Sequence, residues 1–386
     1  MDREVRGVNA GPARPAGPAD EKNVRSKDAA WVKRAVLTAL QIFVTLAVLF
    51  FVFRDPAKRA EMARALGSAD RRWLLAGTLV FGAVELIAVV RWQWLLRVQA
   101  IYLSWKRLTV LAFIGIFFNF FVPGGTGGDV VKIFYLLKET PAKRGPAVLS
   151  VLVDRILGLL GLIALAAFFI VARWDWLVST PATAQAVGTA LLIVGGACGA
   201  VLFSFVISGL GLMHRLPAGL PGRDTFCEIA LAYNLYARAW KPTLGAFLIS
   251  VAGNLGYFAT FYCAAQAFRS VGGNLPTYTD LCAVMPVINT LVSLPISIGG
   301  LGLREGLFQM FLVPLCGVSD ALAVVISSTG YFLTLAWGLA GGVLYAFYRP
   351  SEHARLREIE AEVATVEHSL ALEELALEAR ARKPEP

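Results

Sequence analysis

The stretch NFFVPGGTGGDVVK, Asn119–Lys132, decides how this chain is read, because a second stretch, NTLVSLPISIGGLGLR, Asn289–Arg304, repeats its punctuation. From each proline, Pro123 or Pro295, paired glycines stand four and five residues on (Gly127 and Gly128; Gly299 and Gly300), and a basic residue stands nine on (Lys132; Arg304). An asparagine precedes each proline, Asn119 by four residues and Asn289 by six. Proline blocks helix continuation, and glycine opens backbone conformations closed to other residues. Apolar residues 108–122 therefore give a helix of about 22 Å that stops at Pro123, and residues 281–294 stop similarly at Pro295. Each is too short to cross a hydrocarbon core of about 30 Å comfortably. Another short apolar run follows each break, at 130–137 and 307–316. Both regions read as helix, glycine-rich break, helix. A re-entrant hairpin is the simplest such form, since unwound backbone at membrane depth must be buried in protein or line a wet cavity.

Outward from the breaks, full-length spans are expected at about 35–53, 73–90, 147–172, 186–208, 243–268 and 321–348. The composition agrees: of 386 residues, 57% are hydrophobic and 16% charged, with mean hydropathy +0.63, which excludes a water-soluble single domain. The fold class expected is an all-α polytopic integral membrane protein. Residues 1–34, rich in Pro, Gly and Ala, read as a disordered tail, 35–348 as the transmembrane domain and 349–386 as a charged helical tail. The first apolar run, from Ala35, is long enough to span and lacks a cleavage site, so it reads as a span and not a signal peptide. With both hairpins returning to the side they entered, 25 Lys and Arg fall on the side of the termini and 8 on the other, which predicts cytoplasmic termini in a bacterial or archaeal inner membrane. The basic segment 54–72 runs against that bias and reads as an interfacial helix.

Two spans precede each break and one follows, giving units of about 35–172 and 186–348. Three full crossings per unit force the second copy to enter from the opposite face, an inverted repeat of three spans plus one broken hairpin, a common construction of secondary transporters. Chance is the competing explanation, since an apolar chain with 36 glycines generates such spacings. Glycines 124, 125, 127, 128, 299, 300 and 302 either form the breaks or serve close helix packing. If Asp129 or a neighbour starts the second half-helix, free N–H groups there favour an anion, and Lys132 lies about one turn on, with Arg304 in the matching place. Two phosphate cradles are one reading; closed salt bridges of Lys132 with Asp129 and of Arg304 with Glu305 are the other. Asp154 and Arg155 are adjacent, point about 100° apart, and one of them is expected to answer a residue of the first break. Asn119, Asn289 and Ser297 complete the polar set at the breaks. Glu85 is either a lone intramembrane carboxylate or the partner of Arg91, and Asn254 is expected to make an interhelical hydrogen bond.

No GxSxG, Walker, HExxH or paired His/carboxylate set is present, so no enzyme, metal or cofactor is expected. The five cysteines read as apolar packing residues. Trp73, Trp92, Trp94, Trp105, Trp174 and Trp176 read as interfacial anchors. The excess of basic residues sits in short clusters between apolar runs, which suits anionic lipid and topology rather than nucleic acid. Residues 352–382 carry about two heptads and read as a route to a homo-oligomer or a partner enzyme, or as a solvated helix.

At NFFVPGGTGGDVVKIFYLLKE (119–139) and SLPISIGGLGLREGLF (293–308) the chain resembles the transmembrane, flippase-like region of the lysylphosphatidylglycerol synthase family, over most of 35–348. The resemblance is to the stand-alone form, without the aminoacyl-transferase domain. It implies a membrane domain that moves or presents a polar lipid, with an anionic phospholipid or polyprenyl-phosphate headgroup between the hairpins. Lys132 stands where the resemblance leads one to expect Arg, keeping the charge and losing the bidentate fork. A non-transporting module that anchors a lipid-modifying or glycosyltransferase enzyme is the alternative, and a small-solute carrier the third reading.

Overall fold

The computed structural model describes residues 56–121, 127–140, 143–209, 235–236, 238–294, 297 and 300–348. The expected tail 1–34, the span 35–53, Pro123, Gly124, Gly125, Cys227, Pro295, Gly299 and the tail from 349 lie outside them. Every regular element among the described residues is helical. In chain order these are α1 (Pro56–Gly67), α2 (Arg71–Val98), α3 (Trp105–Phe121), α4 (Gly127–Glu139), α5 (Arg144–Ala172), α6 (Trp174–Leu177) and α7 (Pro181–Gly209). They continue with α8 (Trp240–Gln266), a 3-10 turn at Arg269–Val271, α9 (Tyr278–Val292), α10 (Leu303–Cys316) and α11 (Asp320–Phe347).

Among the described residues, four helices are long and apolar enough to cross a membrane: α2, α5, α8 with its extension to Val271, and α11. α7 brackets the expected span 186–208, and the basic segment does form a helix, α1, whose Met62 and Ala65 are buried against the bundle. The short apolar runs are helices as expected: α3 and α4 have 17 and 13 residues, α9 and α10 have 15 and 14. Local chemistry sets their ends. Thr277 and Asp280 form a reciprocal capping box that starts α9, Ser319 caps α11 through the Leu322 N–H, and Asp70 caps α2 through the Arg72 N–H. Gly317, with φ of 66°, closes α10 in the left-handed region.

α2 packs along α8. Around that pair, α3 packs on α11 and α5 on α9; α5 also lies on α8, and α11 on α2. Each broken pair holds together, α3 on α4 and α9 on α10, and each is flanked by the helix that follows it, α4 by α5 and α10 by α11. Two cores result. One gathers Trp92, Leu111, Ile114, Val131, Tyr135 and Val151 around α3 and α4; the other gathers Phe261, Val284, Ile288, Phe308 and Val325 around α9 and α10. Cys263 and Cys282 are buried packing residues, as expected.

The ends of the bundle are clasped by polar contacts. Arg173, after α5, donates to Asp280 of α9 at 2.9 Å, and Arg269 reaches Asp70 at 3.2 Å. At the end of α11 the Tyr348 hydroxyl donates to Glu139 Oε1 at 3.2 Å, and Arg107 of α3 holds the other carboxylate oxygen. Burial, with Glu139 beside it, pushes the Tyr348 phenol up to about 12, so it stays a donor.

Between apolar helices in lipid there is no hydrophobic driving force, so close backbone approach carries the association. Gly341 of α11 shows this: a Cβ there would lie 2.0 Å from the Phe113 carbonyl oxygen of α3. Gly341→Ala should therefore destabilise the detergent-solubilised protein by about 1–3 kcal/mol through overpacking. Gly188→Ala on α7, where a Cβ meets nothing within 4 Å, should be neutral or stabilising by up to about 1 kcal/mol. Thermal unfolding of the two variants side by side checks the pair.

Candidate functional site

The first break is closed from within. Asn119, in the last turn of α3, accepts the Gly128 N–H through Oδ1 at 3.0 Å, so a donor at the start of α4 is already satisfied. Gly128 rests on the facing helix: a Cβ there would lie 1.9 Å from the Gly115 carbonyl oxygen and 2.6 Å from the Asn119 side chain. Its role is close packing. Gly127 opens α4, which then presents Asp129 and Lys132 to α5.

α5 answers both. Arg155 Nη2 donates to Asp129 Oδ1 at 2.8 Å, and Lys132 Nζ lies 3.6 Å from Asp154 Oδ2 and 3.7 Å from the centroid of the Trp92 ring. The neighbours on α5 thus serve different partners because they face different directions, and both, not one, meet the first break. Asp154 is shared: Arg91 Nε of α2 donates to its other oxygen at 2.8 Å, while Arg91 Nη1 donates to Ser250 of α8 at 3.0 Å. Trp92 Nε1 donates to Ser150 at 3.4 Å. Asn254 reaches the Gly158 carbonyl at 3.3 Å, the expected interhelical bond. Glu85 lies in the field of Lys132, Arg91 and Arg155, but Arg91 is held by Asp154.

Two expectations are corrected here. The salt bridge of Lys132 is to Asp154, not Asp129, since α4 lays the lysine along α5 and leaves the aspartate to Arg155. Trp92 is no interfacial anchor: it is wholly buried, a platform under Lys132, whereas Trp73, Trp105 and Trp174 do sit at helix ends. Arg91, which the sequence offers only as a partner for Glu85, serves Asp154 and Ser250 instead. Hydropathy ends the span at residue 90, but α2 runs on to Val98 and carries Arg91 into the bundle.

The second break is built differently. α9 closes with the Ser293 N–H on the Asn289 carbonyl at 2.9 Å, and the chain passes Ser297 before Gly300 and Gly302, whose φ values are 76° and 81°. Arg304, in the first turn of α10, is 7% exposed and lies over the Tyr331 ring at 4.7 Å. Glu305 does not pair with it among the described residues. Its carboxylate turns back to the Gly302 N–H at 2.7 Å and takes the Ser327 hydroxyl at 3.4 Å. Gly300 and Arg304 are neighbours: a Cβ on Gly300 would lie 3.3 Å from Arg304 Nη2 and 2.4 Å from Val292. Gly299 and Gly124 fall outside the described residues.

The shared carboxylate should dominate stability. Asp154→Asn leaves two buried cations short of their counter-charge and should cost about 3–5 kcal/mol. Arg155→Gln, whose side chain is 52% exposed, should cost less than about 1 kcal/mol. Thermal unfolding in detergent, with a circular dichroism check of helicity, reads both.

Comparison with known proteins gives a consistent result. The sequence model described as Lysylphosphatidylglycerol synthase TM region matches residues 38–342. A UPF0104 membrane protein of Methanothermobacter thermautotrophicus is 25% identical over 333 residues, covering 80% of this chain and 93% of that protein. UPF0104 membrane proteins of Pyrococcus horikoshii (35% over 91 residues, 23% of this chain and 27% of the relative) and Methanocaldococcus jannaschii (21% over 126 residues, 32% and 36%) match shorter segments. With its membrane-length helices, both break segments and most of its length inside that match, the chain belongs to the lysylphosphatidylglycerol synthase TM region family.

Proposed function

We propose that the protein is a lipid carrier of flippase or scramblase type, engaging an anionic phospholipid or polyprenyl-phosphate headgroup between its two broken helix pairs. One observation carries this reading: Arg304 is brought into an apolar helical bundle in the first turn after a break and is 7% exposed. A charge at such a place is costly and marks a path for polar or ionic groups. Membership of a family named for the membrane region of a phospholipid synthase supports a lipid as cargo.

The reading includes the inverted repeat. Exchanging α2 with α8, α3 with α9, α4 with α10 and α5 with α11 turns each packing contact among these helices into another that is present. α3 on α11 becomes α9 on α5, α8 on α5 becomes α2 on α11, and α2 on α8 maps onto itself. Such self-consistency supports a pseudo-twofold relation and the re-entrant form of both pairs.

Reconstitution into vesicles with fluorescent lipids of differing headgroup tests the carrier reading. Phosphate-bearing anionic lipids should cross well above the rate in protein-free vesicles, and Arg304→Ala should slow them by about tenfold or more. Rates equal to empty vesicles for every headgroup would favour the enzyme-anchoring alternative. Arg144→Cys and Val271→Cys, in a background without the five native cysteines, should label from opposite faces of the membrane; labelling from one face would remove the inverted arrangement.

A further inference from the structure

The two breaks match in sequence and differ in chemistry. In the first, every charged group has a partner: Lys132 has Asp154 and Trp92, Asp129 has Arg155, and the Gly128 N–H has Asn119. In the second, the Nε and Nη1 atoms of Arg304 are buried without a hydrogen-bond partner among the described residues, and so is the Ser297 hydroxyl, in a residue 8% exposed. The cause lies on the helix after each break. Asp154 stands on α5 where it reaches Lys132; at the same interval after Arg304, α11 has Ile326 and Ser327, and no carboxylate follows Asp320 in that helix. The acid beside it, Glu305, is turned to Gly302 and Ser327.

A guanidinium with two unmet donors inside a protein costs several times what a satisfied one does. The Tyr331 ring under it accepts no N–H in the guanidinium plane. Gly300 lies close to Arg304 Nη2, and past the Gly302 N–H, which Glu305 takes, the first-turn N–H groups of α10 have no intrahelical acceptors. Fork-shaped donors, a hydroxyl and a helix N-terminus together suit a tetrahedral oxyanion with several acceptor oxygens. We infer that the second break alone is the anion site, holding one phosphate group between the Arg304 guanidinium and the Ser297 hydroxyl, and that the first break is its internally neutralised structural counterpart. This rests on the carrier reading only for the source of the phosphate: a lipid headgroup or free phosphate presents the same oxygens.

The test is equilibrium binding to the purified full chain in detergent, by calorimetry, with inorganic phosphate and with dihexanoyl phosphatidate as probes. Ser297→Ala is the cleanest variant, because a hydroxyl with no partner can be removed without loss of thermal stability. Ser297→Ala and Arg304→Lys, which keeps the charge and loses the fork, should each weaken probe binding by about tenfold or more. Lys132→Gln should bind within about twofold of the parent. Phosphatidate bound far more tightly than phosphate assigns the site to a lipid, and equal affinities assign it to free phosphate. The inference is overturned if neither probe binds at millimolar concentration, if Ser297→Ala and Arg304→Lys bind like the parent, or if Lys132→Gln loses binding as they do. Binding through Arg304 without lipid movement in vesicles keeps this site and removes the carrier reading. Lipid movement with parental binding in both variants does the reverse.

Discussion

The carboxylate of Asp154 is the interaction on which the first half of the bundle depends. One oxygen takes Arg91 of α2, the other faces Lys132 of α4, and Arg91 extends the connection to Ser250 of α8. Four helices are thereby indexed to one acid. In an apolar surrounding none of these charges is tolerable alone, so the group forms as a unit or not at all. The arrangement fixes the rotation of α4 about its own axis, which in turn sets Gly128 down on Gly115 and brings Asp129 to Arg155.

Much of this was legible in the sequence, and what was not has physical reasons. The broken pairs announced themselves because proline and glycine act locally, and the helices around Pro123 and Pro295 fall where the punctuation placed them. Helix ends that hydropathy defines were less secure: Arg91 reads as the first wet residue, yet its charge is met inside by an acid far away in sequence. Trp92 was misread for the same reason, since an aromatic residue at a span boundary and one beneath a buried cation look alike until the partner is known. That both Asp154 and Arg155 would meet the first break followed from their spacing only once α4 was in place.

Packing glycines and hinge glycines were also indistinguishable in one dimension. Gly128 and Gly300 occupy equivalent places in the repeated punctuation, but Gly128 is helical and serves backbone contact, whereas Gly300 has a positive φ that a side chain would strain. A duplicated motif thus fixes where the chain bends, while the neighbours on α5 and α11 decide what each bend can hold.

The clasp at Glu139 has a mechanical side. Tyr348 caps α11, and its hydroxyl is also the group that ties Glu139, at the end of α4, to the end of α11. Its backbone N–H is bonded into α11 and its ring packs on Tyr135 of α4, so the ends of the two helices are held to one side chain. The cap of α11 and the latch on the first broken pair are one residue, so whatever shifts the former also works the latter.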